Sequence, residues 1–107
     1  PVCDIESIFC AHPHYLQDHT PLSHPSQLIQ HECIAHHTHN QYWTLFDTDQ
    51  QPQNYPLNVT FKSNDVIALY QMCLKAEGIA MLPTLLVRQD IAQQRLQQVF
   101  TDFLHLT

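Results

Sequence analysis

Residues 58–83, NVTFKSNDVIALYQMCLKAEGIAMLP, are the stretch that decides the fold. Residues 57–61 alternate apolar and polar side chains, which predicts a half-exposed strand. Residues 79–82 are continuously apolar, which predicts a strand covered on both faces, as strands of a parallel sheet are. A helical pattern separates the two strands. Because strands and helices alternate, the stretch indicates an α/β layer fold.

The helix between these strands has a recognisable start and end. Ser63 or Asn64 is expected to accept a hydrogen bond from a first-turn amide, and the carboxylate of Asp65 complements the positive end of the helix dipole. The expected apolar face consists of Val66, Ile67, Tyr70, Cys73 and Leu74. Gly78, the only glycine, is expected just past the helix end, in the left-handed conformation that costs other residues roughly 1–2 kcal/mol.

The rest of the chain continues this alternation. Apolar or aromatic runs predict strands over residues 7–11, 32–36, 42–46 and 96–100. Helices are predicted from residue 13, over residues 23–29 with a cap at Ser23 or His24, and over residues 83–94. The polar segment 47–55 is expected to be a loop.

Composition narrows the classes of function. The chain has ten acidic and four basic residues, and its formal net charge is −6 when its nine histidines are neutral. It lacks the basic surface that binds phosphates, so DNA binding by these residues is not expected. No apolar run is long enough to span a membrane. Cys10, Cys33 and Cys73 each lie in an apolar run, which is typical of buried free thiols and favours a reducing, cytoplasmic setting.

Seven pieces of the sequence, taken in order, resemble one known family. They are FCAHPHYL, PLSHPSQLIQHECIA, YWTLF, VTFKSND, AEGIAMLP, LLVRQDI and RLQQVFTDF. Each piece is common by itself, and the evidence lies in their joint order and spacing. Together they resemble the second α/β subdomain of the effector-binding domain of LysR-type transcriptional regulators.

This resemblance implies a Rossmann-like three-layer subdomain of the type 2 periplasmic-binding-protein fold, with residues 1–107 as a single α/β domain. It implies a fragment that lacks the family's N-terminal winged helix-turn-helix and most of the first subdomain. The implied function is effector sensing, without enzymatic activity or a cofactor. The implied partners are a small-molecule effector, DNA only through the absent domain, and further copies of the intact protein in a dimer or tetramer, with no membrane.

Two segments are candidates for the effector site. In α/β sheets, ligands bind beyond the carboxyl ends of the strands, where helix N-termini offer unpaired amides. Ser63 and Asn64 follow one predicted strand, and His36, His37 and Thr38 end and follow another. In the resembled family these loops line the second subdomain's side of the effector cleft. The alternative for Ser63 and Asn64 is that they only cap the helix, which is worth about 1 kcal/mol.

The histidines raise a second possibility, a metal-binding module. His36, His37 and His39 with His12 and His14 offer imidazoles of the kind that zinc or nickel binds. If residues 35–37 stay extended, however, His36 and His37 face opposite ways and cannot share an ion. No metal site is therefore predicted.

Two further alternatives concern catalysis and transport. Cys10 or Cys33 beside a histidine imitates a thiol nucleophile, but a histidine-rich chain produces such pairs by chance. Tyr42 and Trp43 are interpreted as core or cleft-wall aromatics, since no basic residues accompany them. A solute-binding protein fragment of the same fold is the remaining alternative. In either case, the surface left by a missing subdomain predicts self-association or swapping of an element.

Overall fold

A computed structural model describes residues 6–46, 49–101 and 104–105. Their strands are β1 Ser7–Ala11, β2 Cys33–His36, β3 Tyr42–Phe46, β4 Pro52–Pro56, β5 Val59–Ser63, β6 Ile79–Pro83, β7 Gln97–Val99 and β8 Leu104–His105. Their helices are α1 Pro13–Asp18, α2 Val66–Leu74 and α3 Thr84–Ala92, with a 3-10 helix at Pro25–Gln30.

The strands form two sheets. The larger has five strands in the order β5-β2-β6-β1-β7, and the smaller has the order β4-β3-β8. In the larger sheet β2 runs parallel to β5 and β6, whereas β1 runs antiparallel to β6 and β7. The first strand of the described chain therefore lies between the sixth and the seventh.

The five-stranded sheet is the middle of three layers. One face packs against α2 and α3, through Cys10, Ile34, Leu69, Cys73, Ala80, Leu82, Val87 and Leu96. The other packs against α1, the 3-10 helix and the smaller sheet, through Phe9, Ala11, Tyr15, Leu28, Cys33, Trp43, Leu45, Tyr55, Ile79, Val99 and Phe100. Neighbouring strand residues divide between the two cores because side chains alternate across a sheet. The three-layer α/β architecture predicted from the sequence is confirmed, and one outer layer includes a sheet as well as helices.

Helix α2 differs from the prediction in its cap and in its buried face. Asp65 is the N-cap residue, and its carboxylate accepts a hydrogen bond from the Ile67 amide at 3.0 Å. Leu69 and Cys73 are buried, whereas Val66 and Ile67 are exposed. Because nearly every position of this helix is apolar, periodicity did not distinguish the inner face from the outer one.

Gly78 is needed for space and not for a left-handed backbone. In the turn between α2 and β6, the residue with a positive φ is Ala76, at 61°. A Cβ on Gly78 would lie 2.5 Å from the carbonyl oxygen of Glu32, which accepts a hydrogen bond from the Ile79 amide at 2.9 Å. The predicted left-handed Gly78 is therefore wrong, and close contact between the starts of β2 and β6 is the physical reason for the glycine.

Other boundaries also shift. Residues 52–55, which were expected in the loop 47–55, belong to β4, because their backbone pairs with β3 and Tyr55 is buried. The helix predicted over residues 23–29 is a 3-10 helix at Pro25–Gln30. Its N-cap is His24, and the His24 Nδ1 accepts a hydrogen bond from the Ser26 amide at 3.1 Å. Cys10, Cys33 and Cys73 are free and buried as predicted.

A polar cluster fixes the amino end of β2. His31 is 1% exposed, and its Nδ1 lies 2.9 Å from the Tyr15 hydroxyl, while its Nε2 lies 3.3 Å from the Thr20 hydroxyl. The Tyr15 oxygen also accepts from the Glu32 amide at 3.0 Å, so the hydroxyl links His31 to the start of β2. Burial, followed by the neighbouring His19, lowers the pKa of His31, and burial raises the pKa of Tyr15. Burial therefore favours the neutral form of His31.

A second polar cluster joins α3 to α2. The Asp90 carboxylate, in a residue that is 3% exposed, accepts from the Tyr70 hydroxyl at 2.6 Å and from Arg95 Nε at 2.7 Å. Burial by itself raises the pKa of Asp90, but the hydrogen bonds from Tyr70 and Arg95 outweigh burial and the net pKa is lowered. The hydrogen bond to Asp90 raises the pKa of Tyr70.

Candidate functional site

The structure brings the two predicted segments together at one edge of the larger sheet. Because β2 and β5 are parallel neighbours, both end at this edge, and His36 is the register partner of Ser63. The His37 amide donates a hydrogen bond to the Ser63 carbonyl oxygen at 3.0 Å. Strand β6 is also parallel to β2 and ends at the same edge. We call this the carboxyl edge.

The segment after β5 is shaped by its own hydrogen bonds. The Ser63 hydroxyl accepts from the Asp65 amide at 3.0 Å, so it forms a turn before the helix and does not cap it. The Asn64 side chain is exposed. The alternative that Ser63 or Asn64 serves only as the helix cap is therefore wrong, since Asp65 does this.

The segment after β2 is a tight turn. The His39 amide donates to the His36 carbonyl at 2.8 Å, and the Thr38 amide donates to His36 Nδ1 at 3.2 Å. The Thr38 hydroxyl lies 2.8 Å from His36 Nδ1 and 3.1 Å from His39 Nδ1. Since His36 Nδ1 accepts from an amide, its ring proton is on Nε2 when the imidazole is neutral.

The rings of His36 and His37 do not diverge as an extended backbone would require. Their centroids are 5.0 Å apart, because β2 ends at His36 and the chain turns at His37. Across residues 6–46, 49–101 and 104–105, no three His, Cys, Asp or Glu side chains are grouped as metal ligands would be.

A cavity of about 420 Å³ adjoins this turn. It is lined by Phe9, Thr38, His39, Asn40, Gln41, Tyr42, Trp43, Thr44 and Met81. Trp43 and Tyr42 were interpreted as core or cleft-wall residues, and both line the cavity. Phe9 and Met81 were not foreseen as site residues, because their position opposite each other depends on the antiparallel register of β1 and β6. Only Thr38 belongs both to the predicted site and to the cavity wall.

Helix α3 also starts at the carboxyl edge. Its N-cap is Pro83, which offers no side-chain acceptor, and the Thr84 amide donates to the Glu6 carbonyl oxygen at 2.8 Å. The Thr84 hydroxyl oxygen is buried and has no hydrogen-bond partner within the described chain. Nothing in the sequence marked this threonine, because its environment depends on where β1 enters the sheet.

The buried thiols are unsuited to nucleophilic chemistry. Burial raises the pKa of Cys33 to about 11, and a hydrogen bond with Cys73, together with burial, raises the pKa of Cys10. Since the thiolate is the reactive form, both groups are held in the unreactive one. The geometry does not favour the thiol-nucleophile alternative.

Comparison with known proteins identifies the family. The model of the LysR substrate binding domain matches residues 1–106. The chain belongs to the LysR substrate binding domain family. The HTH-type transcriptional regulator PtxR of Pseudomonas aeruginosa is 29% identical over 96 residues, which are 89% of this chain and 31% of that protein. The chain thus spans about a third of the length of the curated relatives that it matches.

Solved structures of LysR-type regulators share the fold. The regulatory domain of CrgA, a LysR-type transcriptional regulator from Neisseria meningitidis, superposes with a TM-score of 0.76 at 28% identity, over 94% of this chain and 50% of that one. The regulatory domain of AphB from Vibrio vulnificus gives a TM-score of 0.83 at 22% identity, with the same two coverages. This LysR substrate binding domain shows, within its described residues, no helix of the length and apolarity that crossing a membrane requires.

Proposed function

We propose that this chain is one half of a small-molecule sensor and that its effector contacts the carboxyl edge. The observation that carries the proposal is that the segments after β2 and β5 lie side by side at this edge. His36 and Ser63 are register partners, and the His37 amide donates a hydrogen bond to the Ser63 carbonyl oxygen. Strand ends of parallel sheets are where α/β folds bind ligands.

The carboxyl edge offers groups that suit a polar ligand. Asn64 presents an exposed amide, which can both donate and accept hydrogen bonds. Thr38 presents a hydroxyl held between two imidazoles, and His37 presents an exposed ring. Asp65 directs its carboxylate to the first turn of α2 and so lies beside the same edge. Its negative charge supports a polar ligand over a bare anion at Ser63 and Asn64.

In the intact protein, we propose, this chain and a preceding subdomain close around the effector. A ligand that binds the closed arrangement more tightly than the open one shifts the population toward closure. Sensing, and not catalysis, is therefore the proposed activity. DNA binding would belong to a separate winged helix-turn-helix domain, the intact protein would be a homo-oligomer, and its setting would be cytoplasmic.

The proposal is tested by mapping ligand contacts on the 107-residue chain. A panel of small carboxylates, alcohols and aromatic compounds is added to the ¹⁵N-labelled chain, and amide resonances are followed by NMR. We expect ligands that bind to shift the amides of His36, His37, Thr38, Ser63 and Asn64. Shifts confined to the amino ends of the same strands would contradict the proposal.

A pair of variants separates binding from folding. Asn64→Ala removes an exposed amide at the carboxyl edge. We expect it to weaken binding of the ligands found in the panel by about fivefold, since one lost hydrogen bond is worth about 1 kcal/mol. Gln30→Ala is the matched control, because Gln30 is exposed and lies before the amino end of β2. Equal affinities for the two variants would exclude Asn64 as a ligand contact.

A further inference from the structure

The cavity beside the carboxyl edge has an apolar floor made by three side chains. Phe9 and Met81 are register partners on β1 and β6, and the rings of Phe9 and Trp43 are 5.0 Å apart between centroids with a tilt of 47°. Phe9 is 2% exposed and Trp43 is 3% exposed, so both rings are held firmly by the core behind them. Aromatic rings and a thioether together form a surface on which a further ring packs well.

The rim of the cavity is polar but bears no formal charge. Asn40 and Gln41 contribute amide side chains, and Thr44 donates its hydroxyl proton to Asn54 Oδ1 at 2.7 Å, which leaves its oxygen able to accept. Among the residues that the structure describes, the lining includes no Lys, Arg, Asp or Glu, and its titratable members are His39 and Tyr42.

Volume and charge together limit what the cavity can hold. Its volume of about 420 Å³ exceeds the roughly 150 Å³ in which an apolar cavity binds benzene, so it has room for a ring and a substituent. A carboxylate or ammonium against this floor would lose water without gaining an opposite charge. The net charge of −6 further disfavours an anion.

We propose that this cavity binds an uncharged aromatic ring that carries a hydrogen-bonding substituent, such as a carboxamide, a hydroxyl or a ring N–H. The inference rests on the proposed function, because it describes the portion of the effector that contacts this chain. The ring lies against Phe9, Trp43 and Met81, and the substituent bonds to Asn40 or Gln41 at the rim.

The test uses three probes of the same shape and different charge: benzamide, benzoate and benzamidinium. Each is titrated into the 107-residue chain at about pH 8, where an ordinary imidazole is neutral. Binding is followed by the fluorescence and the indole N–H resonance of Trp43, the only tryptophan. For ligands of this size we expect dissociation constants of roughly 10 mM or below. Benzamide is expected to bind at least about tenfold more tightly than either ion.

Two variants with the same change in net charge locate the effect. Gln41→Arg places a cation on the cavity rim, whereas Gln71→Arg places one on an exposed position of α2, which packs on the opposite face of the sheet. We expect Gln41→Arg to reverse the preference, so that benzoate binds more tightly than benzamide. Gln71→Arg is expected to leave the order of the three probes unchanged.

Each outcome decides the inference. It is overturned if benzoate or benzamidinium binds the unmodified chain as tightly as benzamide, if no probe alters the Trp43 signals, or if the two arginine variants behave alike. Failure of the proposed function looks different: benzamide would still perturb Trp43 with the stated charge preference, while amides at Ser63 and Asn64 did not respond to any ligand.

Discussion

Two substitutions in the turn between α2 and β6, Gly78→Ala and Ala76→Gly, test whether space at residue 78 and a left-handed backbone at residue 76 determine its stability. In Gly78→Ala, the added Cβ would lie 2.5 Å from the Glu32 carbonyl oxygen, inside the 3.0 Å that real Cβ atoms keep from such neighbours. In Ala76→Gly, a residue with φ of 61° loses the Cβ that makes this conformation unfavourable. We expect the first change to destabilise the fold and the second to stabilise it or leave it unaltered.

The magnitudes follow from the contacts. Overpacking of this kind costs about 1–3 kcal/mol, and straining the hydrogen bond from the Ile79 amide to Glu32 adds about 1 kcal/mol, so Gly78→Ala should lose roughly 2–4 kcal/mol. Ala76→Gly relieves about 1–2 kcal/mol of left-handed strain but adds about 0.5–1 kcal/mol of unfolded-state entropy. The net effect of Ala76→Gly should be between about zero and 1.5 kcal/mol of added stability.

Urea unfolding followed by the fluorescence of the buried Trp43 measures both changes. Ala92→Gly, at the end of α3, is the control, because an alanine with ordinary helical backbone should lose about 0.5–1 kcal/mol on the same substitution. The reasoning is refuted if Ala76→Gly is as destabilising as Ala92→Gly, or if Gly78→Ala unfolds at the same urea concentration as the unmodified chain.

Three further predictions concern buried polar groups. Tyr15→Phe should cost roughly 2–6 kcal/mol in urea unfolding, because it leaves an imidazole nitrogen and a backbone N–H unpaired at about 1–3 kcal/mol each. Tyr42→Phe, at a half-exposed ring, should stay within about 0.5 kcal/mol, and equal losses would contradict this. Because the pKa of His31 is lower in the folded state, the unfolded chain binds a proton more readily as the pH falls. The contribution of His31 to the free energy of unfolding should therefore be complete above about pH 6.5 and should decrease below it. Urea midpoints that do not change between about pH 7.5 and 5.5 would contradict this. Asp90→Asn should lower the free energy of unfolding by roughly 1–3 kcal/mol, which is less than for a fully buried pair because Arg95 is half-exposed. It should also lower the raised pKa of Tyr70, measured from tyrosinate absorbance. An unchanged Tyr70 titration would contradict the hydrogen bond between Tyr70 and Asp90.

The order of helices and strands was readable from the sequence because most of it depends on local patterns. The continuous apolar run of β6 and the Ser63–Asp65 signal before α2 each have a local physical cause. β4 could not be predicted, since four of its five residues, Pro52–Pro56, are polar or proline and the segment becomes a strand only through pairing with β3. Gly78 was misinterpreted for a related reason: the atom that excludes a side chain there belongs to Glu32, far away in sequence.

In the candidate site, too, the residues with a local sequence signal could be predicted and those that depend on distant strands could not. Ser63 and His36 could be proposed from the sequence because each lies at the end of a predicted strand, and the parallel pairing of β2 with β5 places them side by side. Phe9 and Met81 were missed as cavity residues, because their meeting requires the register between distant strands of opposite direction. The local turn chemistry at Asp65 was also assigned to the wrong residue, since Ser, Asn and Asp in succession all suit an N-cap.

The interior position of β1 in the sheet has a consequence for how this domain folds. Residues 7–11 pair with residues 80–83 and 97–99, so β1 joins chain segments that are about as far apart as the described chain allows. Closing such a loop is entropically costly, and non-local pairing of this kind slows folding. During synthesis, β1 must wait for β6 and β7 to leave the ribosome before it has a partner strand. Until then, its apolar residues Ile8, Phe9 and Cys10 form an unpaired strand, which is the kind of segment that chaperones protect.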